Sequence, residues 1–137
     1  RNLVLERWGQ TEGRLAVSMV SFGFKHGLPV EADMVLDVRF LPNPYFVEHL
    51  SALSGRDEPV MRYVLETPDA QAFLEKAEDL LLLSIRGFAR EGKSYATVCI
   101  GCTGGRHRSV ALADELGKRL GAQGIPVTVR HRDIQKH

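Results

Sequence analysis

Four short apolar runs, each bounded by glycine, proline or polar residues, are distributed along the chain. Runs of this length that are rich in valine, isoleucine and phenylalanine predict β-strands. The predicted strands are 15–22, 34–40, 95–100 and 127–130. The third is apolar at almost every position, which is typical of a strand buried on both faces of a sheet.

Between these runs, apolar residues recur every three or four positions, which is the spacing of an amphipathic helix. The predicted helices are 57–65, 67–90 and 109–120. The longest has a clear start, because Thr67 is a good cap, Pro68 suits the first helical position and Asp69 faces the positive end of the helix dipole. Gly92 and Gly121 are expected to end the second and third helices. Strands that alternate with helices predict a single α/β domain whose largely parallel or mixed sheet is flanked by helices.

Composition narrows the class of protein. The 137 residues are 44% apolar and 26% charged, which suits one globular domain. The net charge is only +1, so any anion site must be formed by a local cluster of basic residues. The longest apolar run, Leu80–Leu83, is too short to cross a bilayer, so no membrane partner is expected. The chain begins at Arg1 without methionine, and we expect residues 1–14 to be a linker or the start of a fragment and residues 15–137 to form the domain.

The two cysteines are too few for a disulfide scaffold, so a cytoplasmic location is expected. Cys99 and Cys102 form one CxxC pair, which supplies only half of the ligands that zinc requires. A redox pair is disfavoured because strand alternation points the two side chains to different environments. The sequence therefore predicts no metal site and no cofactor.

The segment CTGGRHRS, residues 102–109, lies between the third predicted strand and the last predicted helix. Loops at this position bind ligands in α/β sheets, and the amides at a helix start carry partial positive charge. Two glycines allow the backbone amides to turn inward, and three basic side chains and two hydroxyls add donors. The sequence therefore predicts a phosphate site formed by Thr103, Gly104, Gly105, Arg106, His107, Arg108 and Ser109. A plain glycine-rich turn is the alternative, but three basic residues there would oppose the helix dipole unless an anion offset them. Walker A and GxGxxG patterns are absent.

The same segment resembles the CxxGxxR[ST] signature of protein tyrosine phosphatases over eight residues. That resemblance implies that Cys102 attacks phosphorus as a thiolate, that Arg108 holds the phosphoryl oxygens, and that Asp37 is a loose candidate for the general acid. Gly101 replaces the histidine that usually precedes the cysteine in that family. The alternative is that Cys102 packs beneath the loop as a small residue. No base is evident beside the cysteine, which favours binding without turnover and a protein that is not an enzyme.

Three longer stretches, Ser21–Pro29, Asp33–Pro44 and Ile100–Leu116, together resemble the carboxyl-terminal domain of the RapZ family, described as RNase adapter or nucleotide-binding proteins. The resemblance covers the chain from about residue 15 to its end. It implies a fold similar to part of phosphofructokinase and a preceding P-loop domain. It also implies binding of a sugar phosphate such as glucosamine-6-phosphate, self-association, and a small regulatory RNA and an RNase as partners.

The resemblance also assigns residues. The sugar side of the ligand would be lined by His26, Asp37, Arg39, Asn43 and Tyr45, the last standing where the family has a histidine. The candidates for RNA contact are Lys25, Arg130, His131, Arg132 and Lys136, with His137 and His26 beside them. Asp133 interrupts this basic tail, for which an ordinary solvated end is the alternative.

Three further expectations concern packing. Phe22, Phe24 and Phe40 are expected in the core, and His49 is expected to be exposed. Asp37 and Arg39 flank Val38 and share a face, which predicts either a local ion pair or an arginine held for a ligand.

Overall fold

The structure, a computed structural model, describes residues 15–136; residues 1–14, predicted as a linker, and His137 lie outside the described residues. Its strands are β1 Ala16–Gly23, β2 Met34–Asp37, β3 Tyr95–Cys102 and β4 Val127–His131. Its helices are α1 Glu48–Ser51, α2 Glu58–Leu65, α3 Pro68–Arg90 and α4 Arg108–Ala122. Two single turns of 3-10 helix, Phe24–His26 and Pro44–Phe46, follow β1 and precede α1.

All four strands are parallel and lie in the order β2-β3-β1-β4. This confirms a single α/β domain built on a parallel sheet. The central strand β1 pairs with β3 on one side, Ala16 opposite Tyr95, and with β4 on the other, Val17 opposite Val127. Because the strands are parallel, their carboxyl ends meet at one edge of the sheet, which we call the carboxyl edge.

The main core lies between the sheet and the helices. Helix α4 packs on β1, β3 and β4, and helices α2 and α3 pack against α4. Met19, Val98 and Leu112 are among the fully buried residues of this core. The other face of the sheet holds a smaller cluster of Val20, Phe22 and Cys99. None of the helices within residues 15–136 combines the length and apolar character of a membrane span.

The start of α3 confirms the sequence prediction. Pro68 is the first helical residue, and the Thr67 hydroxyl accepts a hydrogen bond from the Ala70 amide at 3.2 Å. The helix ends at Arg90, and Gly92 adopts a φ of 92° just beyond it. A local signal was sufficient here because every group involved lies within a few residues of the chain.

The predicted second strand was too long. Strand β2 ends at Asp37, and the Leu41 amide bonds the Val38 carbonyl at 3.2 Å, so the chain turns at once. Phe40 therefore lies outside the core, 59% exposed, with its ring 5.9 Å from that of Phe73. Phe24 is only half-buried, whereas Phe22 is buried as predicted.

Two other boundaries differ from the prediction. Strand β3 continues to Cys102, and α4 runs through Gly121 to Ala122, with the positive φ of 88° falling at Gly124. Cys99 and Cys102 lie in the two separate apolar clusters on opposite faces of the sheet, as strand alternation predicted. Burial raises the pKa of the Cys99 thiol to about 11.

Candidate functional site

The segment 102–109, which we call the anion loop, connects β3 to α4 at the carboxyl edge. Gly105 has a φ of 82°, and a Cβ there would lie 2.6 Å from the Gly23 amide nitrogen and 2.9 Å from Cβ of Asp133. Only glycine fits this position, because both the backbone angle and the space exclude a side chain. Gly104 has no positive φ and has room for a Cβ, but a Cβ on Gly23 would clash with the Gly104 carbonyl carbon, so the close approach of the loop to β1 requires glycine at positions 23 and 105.

Cys102 lies beneath the anion loop and is 2% exposed. Its Sγ is 3.1 Å from Oγ of Ser109, and the Gly105 amide donates to the same sulfur at 3.3 Å. Both contacts come from the loop that the cysteine begins. The sulfur therefore holds the loop in shape whether or not it reacts.

Arg108, the first residue of α4, is 4% exposed. Its Nη1 donates to the carbonyls of Arg39 at 2.6 Å and Leu41 at 3.0 Å, and its Nη2 lies 3.4 Å from Oγ1 of Thr103. Its Nε is buried and has no hydrogen-bond partner among the described residues. The first turn of α4 contains no acidic residue, and within residues 15–136 no carboxylate forms an ion pair with this guanidinium. Within residues 15–136, this buried positive charge beside a helix start hydrogen-bonds only neutral groups, and it contributes to the lowered pKa of Asp37 without forming an ion pair with that carboxylate.

Arg106 and His107 are engaged differently from what the sequence predicted. The Arg106 guanidinium donates to the Ala52 carbonyl at 3.0 Å, and His107 Nε2 donates to the Ser51 carbonyl at 3.1 Å. Burial lowers the pKa of His107, so the imidazole is neutral near pH 7. These side chains fix the end of α1 against the anion loop, and their role as phosphate donors remains a prediction.

A cavity of about 810 Å³ opens over the anion loop. Residues predicted for the ligand line one part of it: Asn43, Tyr45, Thr103, Gly104, Arg106, His107 and Arg108, with Cys102 at the base. Asn43 also shapes this wall, because its side-chain oxygen accepts from the Tyr45 amide at 3.1 Å and caps the turn Pro44–Phe46. The structure therefore brings two predicted groups, the anion loop and the Asn43–Tyr45 turn, to one cavity. Gly105 and Ser109 lie buried behind it.

Three residues predicted to line the ligand do not line this cavity: His26, Asp37 and Arg39. Arg39 forms a two-armed ion pair with Asp37, at 2.7 Å and 3.1 Å to Oδ2, and its guanidinium carbon lies 3.8 Å from the centre of the Phe24 ring. Hydrogen bonds from Arg39 lower the pKa of Asp37. The structure thus shows the local ion pair, with both side chains about half exposed. A carboxylate bound in this way is unsuited to be the phosphatase acid.

Some of the residues predicted to contact RNA line the cavity, and the others lie outside it. Lys25 and Lys136 line the cavity over the anion loop, and Arg130 is exposed and paired with Glu31 at 3.4 Å. The side chain of His131 is only 6% exposed, so it presents little surface to an RNA, and its predicted RNA contact remains a prediction.

Instead, His131 belongs to a partly buried chain of polar groups. Its Nδ1 lies 2.7 Å from the Ser21 hydroxyl, and its Nε2 donates to Asp114 at 3.0 Å. Burial alone would raise the pKa of Asp114, but hydrogen bonds from His131 and Arg56 outweigh it and lower the pKa. This chain of hydrogen bonds joins β1, β4 and α4. Because Ser21 is fully buried, its hydroxyl is not accessible as a nucleophile.

Asp133 is the residue whose role sequence reasoning missed most clearly. It is fully buried and accepts hydrogen bonds from the Gly23 amide, from Arg132 and from Lys136, each at 2.8 Å. Arg132 also donates to the Gly27 carbonyl at 2.7 Å, so it ties the tail to the turn after β1. No local signal in the tail shows that β1 and Gly105 approach it.

Three cavity residues were also missed: Phe46, Ser51 and Ala52. They follow the Asn43-Pro44 pair, whose turn chemistry was the only available signal. The described residues 15–136 contain no cluster of His, Cys, Asp or Glu arranged to hold a metal ion. Among the described residues, the lining of the cavity includes residues with hydroxyl groups and four cationic side chains and contains no aspartate or glutamate, which suits an anion.

The chain is similar to known proteins over most of its length. Residues 15–135 match the family model described as the RapZ C-terminal domain. A nucleotide-binding protein of Frankia alni is 56% identical over 121 residues, covering 88% of this chain and 42% of that protein. A nucleotide-binding protein of an Anaeromyxobacter species is 53% identical over 137 residues, covering 99% of this chain and 47% of that protein.

A third relative, a nucleotide-binding protein of Streptomyces coelicolor, is 51% identical over 126 residues and shares 92% of this chain and 42% of its own length. The chain therefore spans less than half the length of the curated relatives that it matches. The family model covers nearly all of the described residues, including the anion loop, the Asn43–Tyr45 turn and Asp133. The chain belongs to the RapZ C-terminal domain family.

Proposed function

We propose that this domain binds a small phosphate ester and acts as a regulatory module without consuming it. The phosphate would contact the anion loop, where backbone amides and the start of α4 supply partial positive charge. The observation that carries the proposal is Arg108, which is 96% buried at the cavity, has no anionic partner within residues 15–136, and keeps its Nε without a hydrogen bond. A buried guanidinium in this state is stabilised when an anion enters.

The family extends the proposal beyond the phosphate. Glucosamine-6-phosphate is the ligand that the resemblance implies, and the relatives' name, nucleotide-binding protein, also points to a phosphorylated ligand. We further propose that the whole protein is a cytoplasmic RNase adapter that binds a small regulatory RNA and self-associates. The exposed cations Lys25 and Arg130 support an RNA contact that depends on salt concentration.

Calorimetric titration tests the ligand. The domain is titrated with glucosamine-6-phosphate, with glucosamine, and with inorganic phosphate. Both phosphate-bearing compounds are expected to bind, because the anion loop recognises the phosphate. Glucosamine, which has no phosphate, is not expected to bind. Absence of binding by both phosphate-bearing compounds would overturn the assignment of this cavity.

Arg108→Gln tests the site. The substitution keeps a hydrogen-bond donor and removes the charge, so phosphate affinity should fall by about 10- to 100-fold, equivalent to about 1.5–3 kcal/mol. Arg86→Gln, at an exposed position of α3, is the matched control and should leave the affinity unchanged. Equal affinities in the two variants would place the phosphate elsewhere.

A cysteine-dependent phosphatase is the second candidate. The observation that favours it is the pair of contacts to Cys102 Sγ, from the Ser109 hydroxyl and the Gly105 amide, both of which would stabilise a thiolate. The thiolate would attack phosphorus, an S–P bond would form, the ester P–O bond would break, and the leaving oxygen would take a proton from solvent. Water would then cleave the S–P bond and release phosphate.

Hydrolysis of p-nitrophenyl phosphate decides between the candidates. The binding module should show no turnover above background. A phosphatase would show turnover that Cys102→Ser abolishes and Cys99→Ser leaves intact, because Cys99 lies on the other face of the sheet.

A further inference from the structure

A lysine of the carboxyl-terminal tail reaches the cavity over the anion loop from outside that loop. Lys136 lines the cavity, and its side chain is half-exposed. The sequence resemblance assigned this lysine to RNA, together with neighbouring cations of the tail. Its position in the structure indicates a different role, because the cavity that it lines is the one that the anion loop forms.

The tail reaches the cavity because it passes directly behind the anion loop. Asp133 is fully buried there, and its carboxylate accepts a hydrogen bond from the Gly23 amide, at the end of β1, at 2.8 Å. A Cβ on Gly105 would lie 2.9 Å from Cβ of Asp133, so the tail and the loop are in close contact. The residues that follow Asp133 therefore start from a fixed point beside the loop.

Lys136 is attached to Asp133 in two ways. Its amide donates to the Asp133 carbonyl at 3.0 Å, which closes a turn, and its Nζ lies 2.8 Å from Oδ1 of the same residue. A free lysine side chain loses rotamer entropy when it binds a ligand. Here the ion pair already restricts the side chain, so the ammonium is held at the cavity before a ligand arrives.

The charges of this cluster do not cancel. Arg132 donates to both oxygens of Asp133, at 3.0 Å to Oδ1 and 2.8 Å to Oδ2, so this arginine alone neutralises the carboxylate. With Lys136 added, two cations share one carboxylate, and one positive charge is in excess. Arg132 does not line the cavity and donates instead to the Gly27 carbonyl, so the excess charge faces the cavity at Lys136. An ammonium has three donors, and the single contact with Asp133 leaves others for an anion.

We propose that Lys136 contacts the phosphate of the ligand, so that the tail forms part of the ligand site. This proposal rests on the proposed function, because the ligand is the same phosphate ester on the anion loop. It adds a donor from outside the segment 102–109. Arg108 is buried whereas Lys136 is half-exposed, so the lysine is expected to contribute less to the affinity than the arginine.

Titration of the domain with glucosamine-6-phosphate and with inorganic phosphate tests the lysine. Lys136→Gln should weaken the binding of both compounds by about 3- to 10-fold, because a charge-assisted hydrogen bond is lost at a half-exposed position. Lys136→Arg should stay within about twofold of the unmodified domain, because it keeps the positive charge and its donors.

Lys118→Gln is the matched control. Lys118 is exposed on α4 and lies outside the cavity lining, so the variant removes the same charge from another part of the surface. It should leave the affinity for both compounds unchanged. If Lys118→Gln weakens binding as much as Lys136→Gln does, the effect is one of net charge and the role of Lys136 is overturned.

The remaining outcomes separate the two proposals. If both compounds bind the unmodified domain and bind Lys136→Gln equally well, the role of Lys136 is overturned and the phosphate site stands. If neither compound binds the unmodified domain, the proposed function fails and the role of Lys136 fails with it.

A fluorescent oligouridylate distinguishes the ligand from RNA. Its binding is measured by fluorescence anisotropy, and Lys136→Gln should weaken it by a smaller factor than it weakens the binding of the two phosphate compounds. A variant that loses affinity for the oligouridylate and keeps its affinity for both phosphate compounds would assign Lys136 to RNA and overturn the proposal.

Discussion

Arg108 and Asp133 are both buried charges beside the anion loop, and they are satisfied in opposite ways. Both oxygens of Asp133 meet cations, Arg132 and Lys136, and one also receives the Gly23 amide. Arg108 meets two carbonyls and one hydroxyl, and its Nε meets nothing within the described residues. A buried charge that the chain itself neutralises holds the fold together. A buried charge without a counterion is available to a ligand.

The largest change in the free energy of unfolding is expected when the charge of Asp133 is removed. Asp133→Asn should lower the free energy of unfolding by about 3 kcal/mol, because an amide leaves two cations without their partner. Urea denaturation measures the change, with Asp79→Asn, at an exposed position of α3, as the control. A loss no greater than that of the control would show that Asp133 does not join the tail to β1.

Arg108→Gln should lower the free energy of unfolding even without phosphate, because the carbonyls of Arg39 and Leu41 lose their donor, and it should also reduce the stabilisation that phosphate supplies. Phosphate at 100 times its dissociation constant should stabilise the unmodified domain by about 2.7 kcal/mol. The variant should gain only about 0.4–1.4 kcal/mol at the same concentration, because a 10- to 100-fold weaker affinity leaves phosphate at about 1–10 times its dissociation constant. Unfolding in urea with and without phosphate measures the increase in unfolding free energy for both proteins. Equal increases would contradict the argument that Arg108, unlike Asp133, is available to a ligand.

The pH dependence of stability sharpens the comparison. Burial alone would raise the pKa of Asp133, but hydrogen bonds from Arg132, Lys136 and Gly23 outweigh it and hold the pKa well below its usual range. The folded state thus favours the carboxylate, so its stabilising contribution is complete above about pH 5, begins to decrease as pH falls below about 4, and is lost fully only when pH falls through the lowered pKa of the folded carboxyl. The difference in unfolding free energy between the unmodified domain and Asp133→Asn should therefore shrink from pH 6 to pH 3. A constant difference would contradict the charge argument.

The smallest effect is expected at Arg39. Its ion pair with Asp37 is exposed, so Arg39→Ala should change the free energy of unfolding by less than about 1 kcal/mol. Because Arg39 lies outside the cavity lining, phosphate affinity should stay within about twofold of the unmodified domain. A tenfold loss would restore this arginine to the ligand site, where the sequence resemblance had put it.

Much of the fold followed from local signals. Thr67-Pro68-Asp69 marked the start of α3, and the continuous apolar character of β3 marked a central, buried strand. The end of β2 was harder, because Val38-Arg39-Phe40 continues the apolar alternation of the strand while the backbone already turns. Alternation describes which side chains face the core, and it does not report which amides remain in the sheet.

The site was predictable where a short segment supplies its own geometry. The anion loop places its glycine and Arg108 within eight consecutive residues, so the sequence showed them together. The positions of Arg106 and His107 were not predictable, because their partners are carbonyls of residues 51–53. Nor was Asp133, whose Gly23 contact joins groups 110 residues apart. Contacts of that range depend on the packing of the whole domain.

The position of β1 at the centre of the sheet has a consequence for how the domain is made. β1 is synthesised before the other strands, yet it pairs with β3 and with β4, whose partner residues lie about 80 and 110 positions later. Parallel pairings of such long range form slowly, since the intervening chain must be ordered first. Until β4 is complete, one side of β1 has unpaired amides and carbonyls that invite pairing with other chains. A chain that ends before Val127 would keep that edge open permanently.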